Sequence, residues 1–206
     1  MAYSAGFSPH PKISYAGAAS MGAASEAEYL EISVIERLDP VKVRLALDAA
    51  MPPGLDIVEI VEAGAGSLAE QLQASDWRIE LPGVREAAAT DAVTRFLAES
   101  EVMVERMTKS GIRRFDARAA VVRLAVEPAE SVDPAPCAIL RLVVRHETPA
   151  VRPDDVLTAL RAVASLTPPV PHKVTRLAQG PLAEENGAVA DPLAADRPRD
   201  GDVAGA

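Results

Sequence analysis

The chain has 206 residues, of which 49% are hydrophobic, so it is long enough to bury a core and is not a wholly disordered protein. Its single cysteine, Cys137, excludes a disulfide framework and any zinc or iron–sulfur site made from cysteines of this chain alone. The formal net charge of -9 argues against a protein that coats DNA, although a local basic patch remains possible. Because no apolar run approaches about 18 residues, we expect a cytoplasmic protein with neither a membrane nor a DNA partner.

The first 64 residues predict a β-β-α-β order. Alternating apolar residues indicate strands at 12–17, 27–36 and 55–63. Between the last two, Asp39 can cap a helix that begins at Pro40 and stops before the Pro-Pro-Gly of residues 52–54. A short helix at 67–74 lies in the linker that follows.

The next hundred residues predict a longer series, β-α-β-β-β-α-β. The predicted strands are 76–83, 101–111, 113–128, 136–146 and 172–180, and the predicted helices are 84–100 and 152–166. The strands within 113–128 and 136–146 should form a hairpin. Pro153 and the two aspartates after it suit the first turn of the second helix.

The two series resemble each other, which predicts an α+β fold of two tandem ferredoxin-like (split β-α-β) units with mainly antiparallel sheets. The expected organisation is an incomplete first unit at 1–64, a linker at 65–75, a complete second unit at 76–180 and a disordered tail at 181–206. The tail carries a net charge of -4, which leaves -5 on the folded part. The first unit lacks an opening strand and helix, so the pattern predicts a further segment before Met1.

One candidate site is the Pro9-His10-Pro11 stretch with the adjacent Lys12. A histidine held between two prolines can act as a general acid or base, and Lys12 can bind an anion. The alternative is an extended, rigid approach to a strand with a solvated His10. Gly22 and Ser25, in the small-residue stretch that follows, would let a phosphate approach closely, or they form a plain glycine turn. No nucleotide-binding fingerprint is present.

A second candidate site is a local concentration of positive charge in this acidic protein. The cluster consists of Arg106, Lys109, Arg113, Arg114 and Arg118. Ser110 and Gly111 predict a turn that would project these cations from a hairpin towards phosphate or RNA. Arg176, on the closing strand, could join them. The alternatives are a solvated hairpin and an ordinary surface arginine, and the spacing of His146 and His172 predicts no metal site.

Several of these stretches resemble a known family, the radical-SAM-associated domain of uncharacterised function. The residues that carry the resemblance are GFSPHPKIS (6–14), SEAEY (25–29), PPGLDIVEI (52–60), VERMTKSGIRRFDAR (104–118) and HKVTRLAQG (172–180). Members occur alone or fused to the C-terminal end of radical SAM proteins, and the resemblance spans residues 2–180. The binding residues that it implies are Gly6, Phe7, Ser8, Pro9, His10, Pro11, Lys12, Ser25, Glu28 and Tyr29.

The resemblance also implies partners. A radical SAM enzyme would carry a 4Fe-4S cluster and S-adenosylmethionine, whereas we expect no cofactor in this chain. Family members tend to be encoded near ribosome and RNA-processing proteins, which favours RNA or ribosome-associated factors. Members usually have a strand and an Arg-rich helix before the motif, so we hypothesise a start codon assigned too late or a truncated chain. N-terminal mass spectrometry of the native protein tests this, since a start at Met1 would contradict it.

Three functions are therefore expected in order. The first is an accessory module that binds RNA or another substrate for a partner radical SAM enzyme. The second is an RNA-processing or RNA-modifying enzyme with His10 as acid or base and Lys12 for charge stabilisation, because the pattern is similar to CRISPR repeat-processing endoribonucleases. The third is a purely structural subunit of a radical SAM complex. No nucleophile–base–orienter set can be found in the sequence.

Overall fold

The computed structural model describes residues 1–5, 7–128 and 135–198. The helices are Pro40–Asp48 (α1), Leu68–Gln71 (α2), Glu86–Ala98 (α3) and Pro153–Ala164 (α4). The strands are Ile13–Ala16 (β1), Ala24–Ser25 (β2), Tyr29–Ile32 (β3), Ala74–Pro82 (β4), Met103–Thr108 (β5), Gly111–Asp116 (β6), Val121–Glu127 (β7), Cys137–Arg145 (β8), Lys173–Gly180 (β9), Leu182–Ala183 (β10) and Ala188–Val189 (β11). The pairings are mostly antiparallel, so the predicted α+β class is confirmed.

The chain forms two compact units that do not follow its linear order. The first unit consists of Met1–Ala18, Tyr29–Glu70 and the chain from Pro192, and the second consists of Ala19–Glu28 and Gln71–Asp191. The segment 19–28, which we placed within an N-terminal unit, therefore belongs to the second unit through β2.

The second unit is built on a five-stranded sheet in the order β2-β9-β4-β8-β7. Only β2 runs parallel to its neighbour, β9. The central strands are apolar on the face that meets α3 and α4, where Ile79, Leu140 and Leu142 are fully buried. Phe96 and Leu160 come from the two helices and complete this aliphatic core. The helices cover this face because their apolar residues recur at helical spacing.

The opposite face of this sheet is polar over most of its area. Asp76 accepts two hydrogen bonds from Arg141, at 2.6 and 2.9 Å, and lies 3.6 Å from Arg123. At one end, β10 and β11 form a small hairpin, and Leu182 packs against Ala74 and Val143. We expected disorder from residue 181 onwards, but this apolar contact orders the start of the predicted tail, and residues 199–206 lie outside the described ones.

The first unit contains the antiparallel pair β1–β3 and the helix α1. Asp39 caps α1 as predicted, since its Oδ1 accepts a hydrogen bond of 2.9 Å from the Val41 amide. No residue of α1 is buried. Among the described residues of this unit, Ala16 and Leu68 are the buried hydrophobic ones, so the unit has little core of its own.

Two predicted strands differ from the structure. Residues 55–63 form no strand, because the Ile57 backbone bonds to side chains instead of a ladder: its amide donates to Asp48 Oδ1 and its carbonyl accepts from Arg44. The single strand expected within 113–128 is two strands, β6 and β7, separated by a bend at residues 117–120. The predicted hairpin is confirmed as the β7–β8 pair, although its loop residues 129–134 lie outside the described ones.

Candidate functional site

The predicted basic hairpin exists as the β5–β6 pair, a two-stranded sheet of its own in the second unit. Its base is anchored. Val104 and Phe115 lie opposite each other and are both buried in the core. The turn at Lys109-Ser110 leads into Gly111, whose φ of +112° lies in the left-handed region that favours glycine.

Two of the predicted phosphate-binding arginines hold the base of the hairpin instead. Arg106 donates a hydrogen bond of 2.6 Å to Asp155 Oδ2, contacts the Ala150 carbonyl at 3.2 Å and lies 4.9 Å from the Phe115 ring centroid. Burial raises the pKa of Asp155, although the nearby Arg106 acts in the opposite sense. Arg118 donates to the Val121 carbonyl at 3.2 Å and lies over the Phe96 ring. These two cations are structural.

The other three predicted cations of the hairpin are exposed at its outer half. Lys109, Arg113 and Arg114 make no ion pair or hydrogen bond through their side chains with any described residue. Residues 107–114 contain these three cations and no acidic residue. The outer half is therefore a compact, solvated positive surface, which we call the hairpin tip.

Arg176 was expected to extend this basic surface, but the structure buries it. Its side chain is 3% exposed and pairs with Glu28. It also donates to Ser25 Oγ at 3.1 Å and to Gln179 Oε1 at 3.2 Å, and it lies 5.5 Å from the Trp77 ring centroid. The buried guanidinium thus fixes β2 to the sheet edge.

The structure therefore brings together three residues that the sequence singled out separately, namely Ser25, Glu28 and Arg176. Gln179, fully buried, adds a hydrogen bond of 2.7 Å to the Ala27 carbonyl of the same segment. Tyr29, next in the predicted motif, begins β3 and belongs to the first unit. Ser25 and Glu28 act here as anchors of the polypeptide rather than as a phosphate loop.

The His-Pro motif forms an exposed loop of the first unit. Ser4 closes it from both sides, because its amide donates to the His10 carbonyl at 2.8 Å and its Oγ accepts from the His10 amide at 3.0 Å. Phe7, Ser8, Pro9, His10, Pro11 and Lys12 are all exposed, and Gly6 lies outside the described residues. The His10 imidazole makes no hydrogen bond to any described residue. Lys12 borders an open depression of ≈ 440 Å³ with Glu31 and Ser33.

Sequence reasoning missed a serine–histidine pair in the second unit. Ser75 Oγ and His146 Nε2 lie 2.7 Å apart, and His146 Nδ1 lies 2.7 Å from the Leu72 carbonyl. Since a carbonyl only accepts, Nδ1 carries the proton and Nε2 accepts from the serine. Partial burial, together with the charge of Arg176, lowers the pKa of His146. Ser75 itself is 1% exposed, so the pair ties two strand ends together rather than facing a substrate.

No sequence signal could have found this pair, because its members are 71 residues apart. Only the antiparallel pairing of β4 with β8 brings the start of one strand beside the end of the other. Among the described residues, no group of three or more His, Cys, Asp or Glu side chains could hold a metal ion. Within the same residues, no helix is long and apolar enough to cross a bilayer.

Comparison with known proteins gives one family. The model of a family described as "Uncharacterized protein conserved in bacteria (DUF2344)" matches residues 1–153. No curated protein and no solved structure matches the chain. The matched range covers about three quarters of the sequence and contains the His-Pro loop and the whole β5–β6 hairpin. The chain therefore belongs to this family of bacterial proteins.

Proposed function

We propose that the protein is an accessory module that binds RNA through the hairpin tip and presents it to a partner radical SAM enzyme. The observation that carries the RNA-binding part is the set of three exposed cations without an ion pair, Lys109, Arg113 and Arg114, in a protein of net charge -9. Cations that neutralise phosphates release condensed counterions, and this gain drives nucleic-acid binding. An isolated positive surface on an acidic protein concentrates that attraction at one place.

The partner part of the proposal is supported by the resemblance of residues 6–14 and of the other quoted stretches to the radical-SAM-associated domain. In that assignment the 4Fe-4S cluster and S-adenosylmethionine belong to the partner. The His-Pro loop offers a contact surface for it, since Phe7 is fully exposed and His10 and Lys12 lie nearby in sequence. Exposed large aromatic residues are enriched at protein interfaces.

For the fold we propose that the second unit is ferredoxin-like. Its strands β4, β7, β8 and β9, counted in chain order, lie in the order 4-1-3-2, and α3 and α4 follow the first and third of them. The β5–β6 hairpin is then an insertion after α3. A second ferredoxin-like unit in tandem stays a prediction, because the described residues of the first unit form one two-stranded sheet and α1.

The test is the salt dependence of RNA binding, measured by fluorescence anisotropy with a labelled structured RNA. We expect Arg113→Ala/Arg114→Ala to weaken binding and to lower the slope of log K against log salt by about 1.4–1.8, the value for two lost phosphate contacts. The matched control is Arg85→Ala/Arg161→Ala, which removes two exposed arginines of the same unit outside the hairpin. An equal loss in both variants, or no RNA binding at low salt, would sink the proposal.

The enzyme alternative rests on His10, which the closed loop holds in a fixed, exposed position. It is distinguished by incubating the protein alone with RNA. Cleavage or modification that His10→Ala abolishes would favour the enzyme, whereas binding without turnover favours the accessory module. The structural-subunit alternative predicts co-purification with the radical SAM protein and no RNA affinity.

A further inference from the structure

The hairpin tip contains an apolar pair that its basic character does not explain. Met107 and Ile112 lie directly opposite each other across β5 and β6, and they are 73% and 66% exposed. Two large apolar side chains side by side in water are unfavourable for the isolated protein. Because they sit at the outer half of a projecting hairpin, burial by its own core does not relieve this cost.

The charges lie around this pair. Directly paired residues share a face of the hairpin, so the register places Met107, Ile112 and Arg114 on one face and Arg113 on the other. Lys109 lies in the turn, two residues beyond Met107. The apolar pair is therefore flanked by cations along the strand, across the hairpin and at its end.

The base of the hairpin is firmly held, as the buried Val104 and Phe115 and the Arg106–Asp155 ion pair show. A fixed arm loses little conformational entropy when it binds, so its tip can enter a partner at low cost. An apolar tip surrounded by phosphate-binding cations matches the way in which proteins insert Met, Ile or Leu side chains between nucleic-acid bases.

We propose that the RNA bound at this site contains unpaired bases, in a loop or a bulge, and that Met107 and Ile112 insert among them while the three cations hold the flanking phosphates. This inference rests on the RNA-binding function proposed above. Uniform A-form duplex does not fit, because its deep, narrow major groove hides the base edges, whereas loops and bulges leave bases unstacked. The occupant is thus a stem with unpaired bases rather than plain duplex.

The experiment compares three RNAs: a stem–loop, a duplex with the sequence of the same stem, and an unstructured strand of equal length. Anisotropy gives the affinities, and 2-aminopurine placed in the loop reports unstacking. We expect the wild type to prefer the stem–loop by about tenfold and to change the 2-aminopurine fluorescence. Met107→Ser/Ile112→Ser should reduce the preference to within about twofold and leave the salt slope unchanged, since no phosphate contact is lost.

Met107→Leu/Ile112→Val is the matched control, because it keeps the pair apolar and should keep the preference. All three proteins should melt alike, since both positions are exposed. An unchanged stem–loop preference in the serine variant overturns the insertion while the RNA-binding function stands. If the wild type binds none of the RNAs, the proposed function fails together with this inference. If the serine variant instead loses a protein partner and keeps its RNA preference, the apolar pair is a protein contact and the inference is wrong.

Discussion

At the residue scale, Arg176 illustrates why a cation in a sequence need not be a binding group. Its guanidinium is almost fully buried, pairs with Glu28 and reaches Ser25 and Gln179. Removing one member of such a buried network leaves the other polar groups without their partner, and this costs more than the pair contributes. The role of Arg176 is therefore to hold the segment 24–28 against β9.

We expect Arg176→Ala to lower the free energy of unfolding by about 3–5 kcal/mol, measured by urea denaturation. The control is Arg78→Ala on the polar face of the same sheet, where the nearest carboxylate, Glu80, lies 3.9 Å away and both side chains are partly exposed. That pair should contribute less than about 1 kcal/mol. Equal effects of the two substitutions would show that Arg176 is not an anchor.

His146 should make stability depend on pH. Because its pKa in the folded protein is lowered, the unfolded state binds the proton more readily. The stability from the neutral imidazole is complete above about pH 6.5, the usual histidine value, and is lost as pH falls towards the lower folded pKa. Urea midpoints between pH 7 and pH 5 should therefore fall, and less steeply in His146→Gln, whose amide can keep both hydrogen bonds. An unchanged slope in the variant would count against this role.

At the scale of elements, the hairpin depends on α4. Asp155 lies in the first turn of this helix and accepts from the Arg152 amide at 2.8 Å as well as from Arg106 at 2.6 Å. One carboxylate therefore both caps α4 and holds β5. The orientation of the hairpin tip is set by a residue that lies 49 positions further along the chain than the arginine it binds.

Asp155→Asn should loosen the hairpin without unfolding the sheet, because the amide keeps a capping oxygen but loses the charge that binds Arg106. Hydrogen exchange should become faster for the amides of β5 and β6, while those of β4 and β8 stay protected. Asp154→Asn is the matched control, since its exposed side chain contacts His172 instead. Faster exchange in both variants, or in neither, would contradict the anchoring.

The elements that could be predicted from sequence are those with a strong local signal. Asp39 and Pro40 begin α1, and Pro153 with its aspartates begins α4, because caps and helix-first prolines act on the nearest backbone. The alternation at 55–63 is as regular as that of true strands, yet no strand forms there. A period of two indicates which residues could share a face, but only a neighbouring strand supplies the hydrogen bonds.

At the scale of the whole molecule, the units interleave in sequence, and this could not be predicted from composition. Residues 19–28 leave the first unit to add β2 to the second, because Glu28 and Ser25 meet Arg176 from about 150 positions away. The basic hairpin itself was predicted with its turn at Ser110-Gly111. Which of its cations are exposed depends on Asp155 and on the Phe96 and Phe115 rings, partners that lie elsewhere in the chain.

The most direct test of the account locates bound RNA on the protein. The full chain is irradiated with a photoreactive stem–loop RNA, and the crosslinked residues are mapped by mass spectrometry. The account predicts adducts within residues 107–114, lost in Arg113→Ala/Arg114→Ala and kept in Arg85→Ala/Arg161→Ala. Adducts that lie elsewhere and persist in the hairpin variant would contradict it.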